Sequence, residues 1–424
     1  MFQVLGTSWA LLLGLMLLMV GNGIQGTLLG IRGEIEGFST LQMSIVMSGY
    51  FVGFLGGSRL APEMIRRVGH VRVFAALGSF ISAVLILYPI FTNPYAWTLG
   101  RVVIGFCFSG VYVTAESWLN NAATNENRGK ALSLYMIVQM VGIIAAQGLL
   151  LVADPSGFIL FVIPSVLVSI SFAPILLSIS PTPAFETTKP MSLRALYEIS
   201  PLSCVGVFLL GGAFSAQFGM AAVYGSEAGL SIPQISMFIA MFYVGATVAQ
   251  YPLGWLSDRM DRRFLIMVVA AVGGVGAIAG AILGGSFGVI LVAATIVGGM
   301  SNPLYSLLIS YANDLLEPED MAAASGGMIF INGLGAISGP LIAGWMISVF
   351  GPPGFWVFVG MLLLAMAAYA AWRMTRRPAT AVADTSSYAP VSMSASPVAL
   401  EAAQEWAIEH AEEASDDEDI AKNS

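Results

Sequence analysis

The sequence predicts an all-α membrane protein: twelve transmembrane helices in two pseudo-symmetric six-helix bundles. Three observations carry that expectation. The 424-residue chain is 57% apolar and 10% charged, with a mean hydropathy of +0.82. Its apolar residues fall into runs of membrane-crossing length. The bases left in the connections lie almost wholly on one side.

A water-soluble chain carries about 25% charged residues. This chain cannot clothe its surface with charge, so a water-soluble enzyme is excluded, and a disordered chain has far less apolar surface. A membrane helix needs about 20 mostly apolar residues. Twelve runs qualify, near 8–31, 41–60, 71–91, 96–119, 130–152, 157–180, 201–225, 233–256, 263–284, 287–311, 325–349 and 354–374. The first is not a cleaved signal, because no base precedes it and Gly21, Asn22, Gly23 and Gln25 interrupt it.

With the N-terminus in the cytoplasm, the inner connections hold Arg59, Arg66, Arg67, Arg72, Arg128, Lys130, Lys189, Arg194, Arg259, Arg262, Arg263, Arg373, Arg376 and Arg377, and the outer ones only Arg32. The positive-inside rule then predicts a multi-pass protein of the inner (plasma) membrane with both termini cytoplasmic. The two cysteines, Cys107 and Cys204, sit in apolar runs, and the two histidines, His70 and His410, lie far apart. No metal site is expected, and no cofactor. No basic patch interleaved with aromatics supports nucleic-acid binding. The lipid bilayer is the expected environment, and a monomer the expected state.

The net charge of −8 belongs to the end of the chain: residues 378–424 hold ten acids and one base. The domain reading is a first bundle over 1–180, a cytoplasmic linker over 181–200, a second bundle over 201–375, and an acidic, disordered cytoplasmic tail over 376–424. The linker's Ser192–Ile199 stretch reads either as a short amphipathic helix on the inner surface or as plain connection.

Ionisable and amide groups at bilayer depth are candidate functional residues, since a charge there costs at least about 2.5–3.5 kcal/mol. Arg101 shares a helix face with Gly105, Phe108 and Tyr112. It reads either as a fixed charge facing a central cavity or as a packing anchor. The other candidate cavity residues are Asn22, Gln25, Tyr112, Gln139, Gln147, Gln217, Tyr243, Gln250, Asn302, Tyr305 and Asn332. Each reads alternatively as interhelical hydrogen-bonding glue beside the glycines. Glu116 lies fifteen residues after Arg101, about 22 Å along a helix, and so near the cytoplasmic edge. It is expected to pair with the loop of Arg59, Arg66 and Arg67, and Asp314 with Arg259, Arg262 or Arg263. These residues, with Gly254 and Asp258, form a candidate cytoplasmic gate; the alternative is plain surface ion pairing.

The halves echo each other. Gly254-Trp255-Leu256-Ser257-Asp258-Arg259-Met260-Asp261-Arg262-Arg263 after the eighth run matches Gly57-Ser58-Arg59-Leu60-Ala61-Pro62-Glu63-Met64-Ile65-Arg66-Arg67 after the second. The later copy resembles the loop motif of the major facilitator superfamily, Gly-x-x-x-Asp-Arg-x-Gly-Arg-Arg, with Asp261 in place of the second Gly. The earlier copy is degenerate, with Ala61 at the Asp position. Arg101-Val102-Val103-Ile104-Gly105 is similar to that family's Arg-x-x-x-Gly element, and Arg128-Gly129-Lys130-Ala131 to another. Asn22-Gly23-Ile24-Gln25-Gly26-Thr27-Leu28-Leu29 and Glu116-Ser117-Trp118-Leu119-Asn120 most resemble its YcaD-type branch.

The resemblance, over about 8–375, implies the MFS fold and a secondary active transporter that moves a small solute by alternating access. A polar or anionic metabolite is favoured, with a proton or sodium as possible coupling ion. Proton-coupled efflux of amphipathic drugs is the alternative, although the fifth run, Val141-Gly142-Ile143-Ile144-Ala145-Ala146-Gln147-Gly148, lacks the proline usual in that group. A membrane sensor or scaffold signalling through the acidic tail is the alternative of another class. The absence of a Gly-x-x-x-x-Gly-Lys-Ser/Thr stretch argues against an ATP-driven pump, and that of clustered intramembrane acids and histidines against an enzyme.

Overall fold

The computed structural model describes residues 2–122, 128–177 and 191–376, with 385, 388, 390–391, 395–396, 398–400 and 403–404 beyond them. Every regular element among them is helical. The first half has α1 (Phe2–Ile35), α2 (Thr40–Val68), α3 (His70–Leu87), α4 (Pro94–Ala122), α5 (Arg128–Leu149) and α6 (Ile159–Leu177). A short α7 (Leu193–Ile199) precedes the second half: α8 (Pro201–Ser215), a π-helical turn (Ala216–Met220), α9 (Ala221–Glu227), α10 (Ile232–Ser257), α11 (Arg262–Leu283), α12 (Phe287–Asn313), α13 (Pro318–Phe350) and α14 (Pro353–Met374). Nine helices among the described residues are long and apolar enough to cross a membrane. Of the twelve expected runs, the fifth and sixth give shorter apolar helices, Ser133–Leu149 and Ile159–Ala173, and the second falls on α2. The linker's short helix is present, capped by Ser192, whose Oγ accepts from the Ala195 N–H at 3.2 Å.

Duplication is visible in a hairpin that opens each half. Gly37-Phe38-Ser39-Thr40-Leu41-Gln42 ends α1 and starts α2; Gly229-Leu230-Ser231-Ile232-Pro233-Gln234 ends α9 and starts α10. Each glycine has positive φ, 74° and 70°, the conformation that closes a helix without a Cβ penalty. The Phe38 N–H reaches the Gly33 carbonyl at 2.8 Å, and the Leu230 N–H the Gly225 carbonyl at 2.9 Å. Each serine N–H then donates to the glutamine Oε1 three residues on, at 2.8 and 2.9 Å, one arm of a capping box. At Ser39 the box is complete, since its Oγ accepts from the Gln42 N–H at 3.2 Å. Ser39→Ala is expected to cost about 1 kcal/mol, read as a lower Tm of purified protein.

Packing repeats the same pairings in both halves: α1 with α5, α2 with α4 and α3 with α6 correspond to α8 with α13, α10 with α12 and α11 with α14. The halves meet through α1 and α9, α5 and α10, and α2 and α13. One end of the bundle bears the loops with Arg66, Arg67, Arg259, Arg262 and Arg263, and is called the basic end. At the far end the halves are tied together: Thr40 Oγ1 donates to Glu227 Oε1 at 2.5 Å, Ser236 Oγ to the Gln147 carbonyl at 2.5 Å and Ser48 Oγ to the Ile337 carbonyl at 2.6 Å. Arg32 anchors the same end of α1 to the Pro155 carbonyl at 2.9 Å and to Glu36.

Between residues 388 and 404 most of the described tail residues depart from the expected solvated segment. Tyr388, Val391, Ser396, Leu400 and Gln404 are buried against the bundle. The side chains docked there are apolar, small or uncharged, and burial contributes about 25 cal/mol per Å² of apolar surface. The acidic stretch over 405–424 lies outside the described residues.

Candidate functional site

A cavity between the halves is partly open to solvent. The first half supplies Asn22 from α1, Tyr50, Phe51, Phe54 and Leu55 from α2, Tyr112 from α4, and Gln139, Met140 and Ile143 from α5. The second supplies Phe214 and Phe218, Tyr243 from α10, Asn302 from α12, and Ile329, Asn332, Gly333 and Ala336 from α13. The π turn widens the helix by one residue and carries Phe218 into the wall, a distortion common at functional sites. Four carboxamides (Asn22, Gln139, Asn302, Asn332) and seven aromatic rings (Tyr50, Phe51, Phe54, Tyr112, Phe214, Phe218, Tyr243) line it, and no lining residue is charged.

All of these rings but Tyr243 form a connected group. Phe218 lies 5.4 Å from Tyr50 and 6.0 Å from Phe214, centroid to centroid, and Phe54 lies 6.0 Å from Tyr112. Asn22 organises the polar side of the wall. Its Nδ2 donates to the Tyr112 hydroxyl at 3.0 Å, and its Oδ1 accepts from Gln25 Nε2 at 3.2 Å. These bonds fix the Asn22 amide plane, so its edge is presented to the cavity in one orientation.

Of the residues singled out in the sequence, Asn22, Tyr112, Gln139, Tyr243, Asn302 and Asn332 stand together on the cavity wall. Gln25 supports Asn22 from behind. Gln147 is spent on Thr27 Oγ1 at 3.1 Å and the Gly23 carbonyl at 3.2 Å, joining α1 to α5. Gln217 accepts from Ser301 Oγ at 3.1 Å, and Gln250 donates to the Tyr388 hydroxyl at 2.8 Å. Tyr305 is buried in α12 away from the wall.

Arg101 does not join the lining. It is 0% exposed, with its guanidinium 4.7 Å from the Tyr50 ring centroid. Its three guanidinium nitrogens have no hydrogen-bond partner among the described residues. Tyr50 therefore stands between the cation and the cavity. The aromatic lining on α2 and α8 is the part that sequence reading missed. The Tyr50/Phe54 and Phe214/Phe218 pairs at i,i+4 spacing were available signals, but in a chain of this composition such pairs also face lipid.

The expected pairing at the basic end holds in one half and fails in the other. Arg262 meets Asp314 at 2.5 Å, with both side chains 1% exposed, and also meets Asp258 at 3.5 Å. In the first half, Glu116 does not reach Arg59, Arg66 or Arg67. Its carboxylate accepts from the Tyr135 hydroxyl at 2.5 Å and from the Ser396 N–H at 2.9 Å. The reason is local supply: Glu63 lies within one turn of Arg66 and Arg67 and binds both, at 2.7 and 2.6 Å, while Arg59 stacks 4.1 Å over Phe330 of the other half. Hydrogen bonds from Arg66 and Arg67 hold the Glu63 carboxyl down to about 2. For Asp261, burial pushes the carboxyl up, but the hydrogen bonds from Arg263 outweigh it and leave it below its ordinary range. Arg259 lies 4.3 Å over Trp255.

Sequence and fold comparisons agree with this geometry. The sequence model of the Major Facilitator Superfamily matches residues 11–222 and again 203–403, once for each half. The chain is 26% identical over 344 residues to the uncharacterized MFS-type transporter YfkF of Bacillus subtilis (strain 168), covering 78% of this chain and 86% of that one. It is also 26% identical over 332 residues to the uncharacterized MFS-type transporter YcaD of Escherichia coli (strain SE11), with the same coverage of 78% and 86%. Among solved structures, the nucleoside transporter NupG superposes with a TM-score of 0.69 at 15% identity, covering 89% of this chain and 100% of that one. A variant of NupG gives 0.73 at 14% identity, with coverage of 87% and 98%. The duplicated packing, the cavity between the halves and these matches make one statement: this membrane protein belongs to the major facilitator superfamily.

Proposed function

We propose that this protein carries a small, neutral, amphipathic solute across the inner membrane by alternating access. On this reading the chain crosses twelve times, with the basic end and both termini in the cytoplasm, and works as a monomer. The carrying observation is the cavity wall: seven aromatic rings and four carboxamides with no charged side chain. Rings bind flat apolar faces, while fixed amides read hydrogen-bonding edges. The sequence alone favoured a polar or anionic metabolite because of Arg101 and the missing proline of the fifth run. With Tyr50 between Arg101 and the wall, an anion gains little there. NupG, which shares this fold, is a nucleoside transporter. Nucleosides combine a flat heterocycle with hydroxyl and amide edges, so they are the first compounds to test.

Arg101 keeps a separate place in this reading. A buried guanidinium without hydrogen-bond partners is costly, so Arg101 acquires a partner in another step of the cycle.

Thermal-shift screening of the purified protein, followed by uptake into liposomes, tests the proposal. Neutral aromatic solutes should raise the Tm, and Tyr112→Ala and Phe218→Ala should each weaken binding about tenfold, the loss of about 1–1.5 kcal/mol of ring contact. Strongest stabilisation by small anions without rings, undiminished in both variants, defeats the proposal.

A further inference from the structure

The described tail residues lie at the basic end, between the two halves. Two α10 residues and the Asp258 cap that follows them, each one turn apart, grip Tyr388: Gln250 Nε2 donates to its hydroxyl at 2.8 Å, Asp258 Oδ1 accepts from its backbone N–H at 2.8 Å, and Gly254 lies under its ring. A methyl on Gly254 would come 2.7 Å from Tyr388 Cδ1. Further on, Ser306 Oγ of α12 donates to the Val391 carbonyl at 3.0 Å and accepts from the Val391 N–H at 2.9 Å. The Ser396 N–H donates to Glu116 of α4, in the other half, at 2.9 Å. Gln404 Nε2 donates to Asn313 Oδ1 at 2.9 Å, and Leu400 is 0% exposed. The tail thus bonds to both halves, and it uses Gly254, Asp258 and Glu116, three of the ten residues that the sequence assigned to a gate.

We propose that this C-terminal segment is an intramolecular plug. It fills the cleft between the halves at the basic end and must leave before that end can close, so it brakes the conformational cycle. The physical reason is exclusion. At the far end the halves already touch through Thr40–Glu227, Ser236–Gln147 and Ser48–Ile337. The alternative state requires comparable contact at the basic end, where tail atoms now occupy the bonding positions of α4, α10 and α12. A ligand or segment that binds one conformation shifts the equilibrium toward it. Among the described residues the docked side chains of Tyr388, Val391, Ser396, Leu400 and Gln404 carry no charge, so seating them in the cleft costs no buried ion.

The brake rests on the alternating-access reading, whereas the docking does not. Docking is read by labelling a Ser306→Cys variant in nanodiscs with a water-soluble maleimide, Cys107 and Cys204 being buried. Truncation after residue 377 should speed labelling about tenfold or more, the signature of losing a local closed state. The full-length Tyr388→Ala/Leu400→Asp variant should do the same, and an added peptide of residues 385–404 should restore protection to the truncated protein. Equal rates in all forms overturn the plug. The brake is read by spin-label distances between positions 67 and 320 across the basic end. Truncation should add a shorter-distance population, and an unchanged distribution with freed Ser306→Cys overturns the brake. A second label pair at 41 and 230 watches the far end. If it never widens in either form, alternating access fails too, which separates the two failures.

Discussion

Asp314→Ala is expected to lower the stability of the purified protein by about 3 kcal/mol, the low end of the cost of breaking a buried ion pair. Both side chains of the Arg262–Asp314 pair are 1% exposed. Removing the carboxylate strips a buried guanidinium of its closest counter-charge. Asp258 at 3.5 Å, Ser257 Oγ at 3.0 Å and the Ser310 carbonyl at 3.3 Å remain, which places the loss at that low end. The double variant Arg262→Met/Asp314→Leu should be less destabilised than Asp314→Ala alone, because no buried charge is left behind. Thermal unfolding of the three proteins in one detergent checks this. A double variant worse than the single one would show that the pair contributes more than mutual neutralisation.

Gly53→Ala should be among the most damaging small substitutions in the first half, and Gly56→Ala, one turn away on α2, a near-neutral control. A methyl on Gly53 would overlap the Val102 carbonyl of α4, whereas one on Gly56 would meet only Phe106 Cδ2 at 3.8 Å. Backbone cannot turn aside as a side chain can, so α2 and α4 must separate, at about 1–3 kcal/mol or more. Gly56→Ala removes a helix-interior glycine and should gain up to about 1 kcal/mol. The pseudo-symmetric position gives the same result in principle: a methyl on Gly245 of α10 would overlap the Thr295 carbonyl of α12. Comparable melting temperatures for the Gly53 and Gly56 variants would refute the close α2–α4 contact.

Much of this protein was legible without coordinates. Composition and run length gave a helical membrane protein, because lipid leaves the backbone no partner outside its own helix. The basic clusters that follow the second and eighth runs, Arg66-Arg67 and Arg262-Arg263, pointed to two equivalent halves. A second repeat, the Gly-apolar-Ser-x-x-Gln hairpin at 37–42 and 229–234, was equally readable, since it uses only local capping rules. Asn22, Tyr112 and Asn332 were picked as polar groups inside apolar runs, and they do share one wall.

The chain's own residues determined that it lies in a membrane, that its helices come as a duplicated set, and that each buried polar group needs a partner. Those properties depend on neighbours in sequence and on transfer from water to lipid. Only the tertiary structure decided which partner each group found. Tyr50 came between Arg101 and the cavity, Glu63 took Arg66 and Arg67 before Glu116 could, and Glu116 received the Ser396 N–H of a distant tail. Competition among several chemically equivalent partners is settled by distance in the packed bundle, and distances between helices are not written in any one segment.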